Sequence, residues 1–285
     1  MNPNLDDTIL ELMGEKPTTT YDLEGGCVGD VKRIRFEDDR TFVVKLDPAG
    51  TGGLEVEGRM LTYLSDHSQL PVPKVIEAKP HILIMSDLGG STGARGPAQI
   101  EAAEAISALH HVRGEQYGLE FDTPIGGLIQ DNRQTSSWAE FFRDQRLLAM
   151  ADQALQSGML PLELYNRIKN FAEDVEDDLV DPNPPTLIHG DVWAGNILAK
   201  PKKLFGFVDP AIYYADPEIE LAFINLFSTF SAKFFDVYRS THELHDDFFD
   251  RRQHVYNLYP LLVHVRLFGG GYVEQLSNHL EQLSF

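Results

Sequence analysis

One stretch constrains this chain more than any other: Leu187-Ile-His-Gly-Asp-Val-Trp-Ala-Gly-Asn-Ile-Leu-Ala-Lys-Pro-Lys-Lys-Leu-Phe-Gly-Phe-Val-Asp209. Asn196–Ala199 and Leu204–Val208 have strand character, and Lys200-Pro201-Lys202-Lys203 between them breaks the run. Folded as an antiparallel hairpin centred on Lys202–Lys203, they set Asn196 opposite Asp209 at the open end. Asp191 comes five residues before Asn196, on the loop entering that end. Two carboxylates and an amide oxygen thus converge. Asn196 and Asp209 offer the hard oxygens that suit Mg²⁺, and the Asp191 carboxylate is left for proton transfer. The plain alternative is a polar hairpin with a capped loop, because Asp and Asn are common in turns. Trp193, Gly195 and the fixed gap to Asn196 favour the chemical reading.

A second signal lies upstream. Thr41-Phe-Val-Val-Lys-Leu46 is β-branched and aromatic and predicts a strand carrying Lys45. Asp47–Gly53 breaks it, and apolar residues at 54, 61 and 64 then share one helical face with Glu57 beside them. A lysine in a half-buried strand needs a partner. Glu57 is preferred over its competitor Glu55, because it precedes Leu64 by seven residues on the same face. Before the strand, Glu24-Gly25-Gly26-Cys27-Val28-Gly29-Asp30 sets glycines close together. Backbone N–H groups at Gly25 and Gly26 can approach a phosphate there, though a plain hairpin turn asks for the same glycines.

The rest of the chain organises around these signals. Pro71-Val72-Pro73 is a turn and His81–Met85 a buried strand, followed by the Gly-rich run Asp87–Gly93. Beyond it, segments 99–111, 138–156 and 162–179 carry apolar residues at helical spacing, and helices resume from Glu218. The expectation is an α+β protein in two lobes: a small β-rich lobe over 1–86, a linker over 87–93, and a larger, mainly helical lobe over 94–285.

Composition excludes more than it selects. With 44 acidic against 24 basic residues and a formal net charge of −20, the chain repels nucleic acid and anionic membranes. No apolar run approaches the roughly 20 residues needed to cross a bilayer, and the start lacks the basic and apolar regions of a signal peptide. Cys27 is the single cysteine, so no intrachain disulfide forms, which fits a reducing, cytoplasmic setting. Its thiol is either a small buried group or a redox-sensitive one able to link two copies; monomer and redox-linked dimer both stay open. His242, His245 and Asp246-Asp247 read as a solvated helix end rather than a metal site.

In chain order, Lys45, Glu57, Asp191, Asn196 and Asp209 resemble the working parts of the protein-kinase-like fold, with His-Gly-Asp in place of His-Arg-Asp. More specifically, the chain resembles the fructosamine kinase / ketosamine-3-kinase family, relatives of aminoglycoside and choline kinases. Gly25-Gly26-Cys27 looks like its nucleotide-loop signature, Glu55-Val-Glu57-Gly58 its acidic helix, and His189-Gly-Asp-Val-Trp-Ala-Gly-Asn196 its catalytic loop. Val72-Pro73-Lys74-Val75 and Trp138–Leu147 are similar to further family segments, and Asp209-Pro-Ala-Ile-Tyr-Tyr214 resembles the metal segment. The tail, Leu258-Tyr-Pro-Leu-Leu-Val-His264 and Leu267-Phe-Gly-Gly-Gly-Tyr272, is the most family-specific part. Two departures stand out: Val28-Gly29-Asp30 follows the cysteine where the family usually has Ile-Asn, and Glu220 stands where Asp is usual.

The resemblance implies phosphorylation of a ketosamine sugar hydroxyl by ATP with Mg²⁺, and loss of the phosphorylated sugar from the amine. It implies Lys45, steadied by Glu57, on the α- and β-phosphates, Mg²⁺ on Asn196 and Asp209, and Asp191 as the base. Adenine would bond the backbone near Ser86 and Leu88. Trp193 would pack on the sugar and His264 bond a sugar hydroxyl, although both residue types also serve as ordinary core. His189 reads as a structural donor to backbone carbonyls rather than a base. Other readings of the same motifs are a kinase for another small molecule and a nucleotide-binding regulator without transfer.

Overall fold

The computed structural model describes residues 5–23, 30–51, 53–179 and 184–285. Its first part is an antiparallel sheet of five strands: β1 (Thr19–Asp22), β2 (Asp30–Arg35), β3 (Thr41–Leu46), β4 (Val75–Lys79) and β5 (Ile82–Ser86), in the order β1-β2-β3-β5-β4. Two helices cover it: α1 (Leu5–Met13) and α2 (Gly53–His67). Strand alternation decides which residues each helix meets. Ile34, Phe36, Val44, Ile82 and Ile84 pack with Ile9 of α1. Leu83 and Met85, one position out of phase, pack with Leu54 and Leu61 of α2, and Val43 joins that side. Lys45 has the parity of Val43, so it points toward α2. Gly58 lets α2 lie close to the sheet, since a Cβ there would stand 2.4 Å from the Ala78 Cβ.

The linker is more ordered than a Gly-rich run suggests. A two-residue strand, β6 (Ser91–Thr92), pairs antiparallel with Ile197–Lys200, and Leu88 packs where a Cβ on Gly206 would lie. The strands 197–200 and 203–207 also depart from the expected register. Lys200 pairs with Lys203, so the turn closes on Pro201-Lys202, one residue earlier than Lys202–Lys203. Proline explains the shift, because its fixed φ suits the first central position of a turn and it cannot donate within a ladder. A bulge at Leu198/Ala199 then restores one residue, and the Val208 N–H reaches the Asn196 carbonyl at 3.0 Å. Asn196 therefore faces Val208, not Asp209, and belongs to a single 3₁₀ turn, Ala194–Asn196. The open end survives this correction, because Asp209 is the next residue.

After α3 (Pro97–Leu109) the chain is mainly helical and shares one apolar core that includes Trp138, Phe141, Phe142, Phe171, Tyr256 and Leu261. The predicted helix over 138–156 is α-helical at both ends and π-helical over Phe142–Leu148. Gln253–Phe268 is buried nearly all round, which is why its apolar residues show little sidedness in sequence. Thr186–Ile188 pairs with Tyr213–Ala215. Residues 189–212 are thus pinned at their base by this ladder and at their far end by the hairpin.

Candidate active site

Lys45 is only 7% exposed and is satisfied by two carboxylates. Its Nζ lies 2.7 Å from Glu57 Oε1 and also bonds Asp209 across the cleft between sheet and helical part. Glu55 is exposed. One ammonium between two acids in a dry setting has a definite consequence. Burial opposes the Lys45 charge, yet Glu57 and Asp209 outweigh it and raise its pKa. Glu57 is pushed up, first by burial and further by Asp209, against the pull of Lys45. The lysine thus stays charged, and the surplus negative charge is felt by the more buried acid.

At the pinned loop, Gly190 adopts φ 85°, and a Cβ there would stand 2.1 Å from the Ala211 carbonyl oxygen. Only glycine lets the two strands of the loop touch here. Asp191 follows it. Asn196 Nδ2 donates to Asp191 Oδ2 at 2.7 Å and to its carbonyl at 3.0 Å, which fixes the amide so that Oδ1 faces away. Burial pushes the Asp191 pKa up to about 7, with Asp209 adding to it and the Asn196 bond opposing it. Asp209 takes φ 55°, an uncommon left-handed backbone for a non-glycine residue, which marks a locally strained position. Asn196, Asp209 and Asp191 are therefore brought together, as the sequence led us to expect. The Asp209 carboxylate and the Asn196 amide oxygen are hard donors, too few for an all-protein cage. They fit a Mg²⁺ whose remaining ligands are phosphate oxygens and water.

His189 is structural, and it accepts a hydrogen bond as well as carrying a donor. It is fully buried, and its Nδ1 accepts the Asp191 N–H at 3.3 Å, which leaves the proton on Nε2, the nitrogen free to act toward the Val208 backbone. Burial lowers its pKa, so the ring is neutral. The loop has a further anchor, which the sequence marked only as a departure from the family's usual Asp. Glu220, buried on the helix Glu218–Leu226, accepts the Gly190 N–H at 2.6 Å through Oε1 and bonds His110 Nε2 at 2.9 Å through Oε2. A second sequence signal was its setting, an acid among Ile219, Leu221 and Ala222. Arg252 was missed: it bonds Asp216 at 2.7 Å and Glu218 at 2.6 Å, fixing the start of that helix.

Asp191 also lines a cavity of about 320 Å³ that contains both Trp193 and His264. The Trp193 ring lies against Gly195, where a Cβ would stand 2.3 Å from it. His264 Nδ1 is committed to the Pro260 carbonyl at 2.7 Å, and burial lowers its pKa. Ser86 and Leu88 sit where β5 leaves the sheet. The Ser86 N–H is already taken by the Lys74 carbonyl at 2.9 Å, so a donor to a ligand must come from Leu88. Gly25, Gly26 and Cys27 lie outside the described residues.

Comparison with known proteins decides the lineage. The family model for fructosamine kinase matches residues 1–284. The chain belongs to this family. A probable ketoamine kinase of Synechocystis sp. is 31% identical, covering 91% of this chain and 88% of that one. A probable ketoamine kinase of Vibrio parahaemolyticus is 30% identical over 96% of this chain and 95% of its own length. Among solved structures, a candidate fructosamine-3-kinase of Thermobifida fusca superposes with a TM-score of 0.88 at 27% identity, covering 98% of each chain. An aminoglycoside phosphotransferase superposes with a TM-score of 0.66 at 17% identity, covering 98% of this chain and 96% of that one; at that distance the likeness speaks for the fold alone. The α+β, two-lobed architecture is that of protein-kinase-like phosphotransferases, and the chain is a family kinase transferring phosphoryl groups to an alcohol. Among the described residues no helix is long and apolar enough to cross a membrane.

Proposed function

We propose that this chain uses ATP and Mg²⁺ to phosphorylate a sugar hydroxyl of ketosamines, and that loss of the phosphorylated sugar then frees the amine. Residues 1–86 hold the nucleotide, 87–93 form the hinge, and 94–285 carry catalysis and substrate. What supports the reading is the unbroken run of contacts from Glu57 through Lys45 to Asp209, with Asn196 and Asp191 at its end. The names of the family relatives add the substrate class.

Each residue then has a task. Lys45, kept charged by Glu57, leaves Asp209 for the α- and β-phosphates as the nucleotide enters. Asp209 and the Asn196 amide oxygen hold the metal. Bound there, Mg²⁺ supplies neutralisation of the phosphate oxygens. Asp191, a stronger base than an ordinary carboxylate because of its burial, accepts the hydroxyl hydrogen bond and takes the proton as the phosphoryl group transfers. Gly25 and Gly26 are the residues assigned to the phosphates, the Ser86 carbonyl and Leu88 N–H pair with the adenine edge, Trp193 packs on the sugar, and His264 bonds a sugar hydroxyl. Most of the rate comes from positioning and charge neutralisation, which the pinned loop provides. All these groups belong to one chain, so a monomer suffices, and the lone Cys27 fits a cytoplasmic setting.

A substrate panel tests the proposal. The Nα-acetyl-lysine amides carrying fructose or ribulose on Nε are expected to support ADP formation with an equal amount of phosphosugar, while kanamycin and choline are not. ATP binding without transfer to any ketosamine would favour a regulatory role instead.

A further inference from the structure

The cavity beside Asp191 is far more apolar than a sugar requires. One wall is a continuous run of rings: Phe223 to Phe227 at 4.8 Å between centroids, Phe227 to His264 at 5.0 Å, and His264 to Tyr272 at 4.7 Å and Phe268 at 5.8 Å. At its mouth Phe268 is 59% and Trp193 39% exposed. A Phe this exposed beside a cavity points to a ligand that covers it.

Charge in the lining is one-sided. Among the described lining residues only Asp191 and Glu220 carry formal charge, and no lysine or arginine is present. Both Glu220 oxygens are already bonded, to Gly190 and His110. His264 is neutral, with Nδ1–H given to the Pro260 carbonyl. The Arg146 guanidinium lies behind the wall, 4.0 Å from the Tyr213 ring centroid, and is fully buried. Its Nη groups are given to the Asp131 carbonyl, the Gln145 carbonyl and Asn132. A carboxylate entering this cavity would lose its hydration and meet no cation. A protonated secondary amine suits the same place: Asp191 is anionic when unprotonated, and aromatic faces attract cations.

We infer that this wall selects ketosamines whose nitrogen bears an uncharged apolar substituent, best a ring, and discriminates against those bearing a carboxylate; the inference rests on the kinase reading above. The sugar end meets Asp191, Trp193 and the His264 Nε2, and the amine substituent runs along Phe227 and Tyr272 to Phe268.

Three substrates of one series decide it: 1-deoxy-1-benzylamino-fructose, its para-carboxybenzyl analogue and the methylamino analogue. The benzyl compound is expected to exceed the carboxybenzyl compound in kcat/KM by at least about tenfold, and the methyl compound by a similar factor. Phe268→Ala should shrink the benzyl-to-methyl ratio. Phe268→Arg should narrow the benzyl-to-carboxybenzyl gap, and its exposure makes both variants compatible with folding. Equal kcat/KM for benzyl and carboxybenzyl compounds, or a gap that Phe268→Arg leaves unchanged, overturns the inference while the kinase reading stands. Failure of all three substrates to be phosphorylated overturns both.

Discussion

Asp191→Asn is expected to lower kcat by about 10²-fold or more while leaving ATP affinity nearly unchanged. The substitution is nearly isosteric. The new side chain still offers an oxygen to Asn196 Nδ2, now 2.7 Å from Asp191 Oδ2, so the loop keeps its shape. The Gly190 turn and the Glu220 anchor are untouched, because both act on the backbone. What disappears is the group able to accept a proton. Burial has moved that group up to about 7, closer to the strength a general base needs near neutral pH. Steady-state kinetics with a ketosamine, together with ATP titration, separates the two effects. Unchanged turnover with intact nucleotide binding would remove Asp191 from its role.

Glu220→Ala should be the most damaging single change to stability, by about 3–5 kcal/mol. It strips a buried partner from His110, which is fully enclosed, and from the partly buried Gly190 N–H. Glu220→Gln keeps an acceptor for Gly190 and should cost less. The pH dependence separates charge from shape. Burial works against the Glu220 carboxylate, but its bond to His110 and the Gly190 N–H outweigh this, and its pKa lies below the usual 4.5. A depressed carboxylate pKa means that the unfolded chain binds the proton more readily. The contribution is therefore present above the ordinary carboxylate range and is lost as pH falls through it toward the folded value. Denaturant unfolding from pH 7 to pH 3 should show the wild type losing its advantage over Glu220→Gln at the acid end. A constant difference across that range would mean that the charge plays no part.

Much of this site was legible in the sequence, and for identifiable reasons. Lys45 could be placed because strand alternation and a helical face are local patterns, and parity alone turns it toward α2. Asp191, Asn196 and Asp209 could be gathered because a short hairpin brings its ends together whatever its register. That is also why the register error was harmless: Pro201 moved the turn by one residue, and the bulge at Leu198/Ala199 gave one back. The remaining parts depend on contacts distant in sequence. Glu220 lies 30 residues from the Gly190 it holds and 110 from His110, and no periodicity joins those positions. Arg252 reaches Asp216 from 36 residues away. The pairing of Ser91–Thr92 with the hairpin involves too few residues to leave a pattern. For His189 the sequence could give a structural role but not the acceptor half of it, because only the neighbouring Asp191 N–H shows which ring nitrogen accepts.

Nucleotide titration with and without metal bears most directly on the shared role of Asp209, Asn196 and Lys45. In the wild type, Mg²⁺ should tighten ATP binding by at least about tenfold, as expected when a metal links two protein oxygens to phosphate. In Asp209→Ala the metal should make little difference, because one of those oxygens is gone. An undiminished Mg²⁺ effect in the variant would contradict the account.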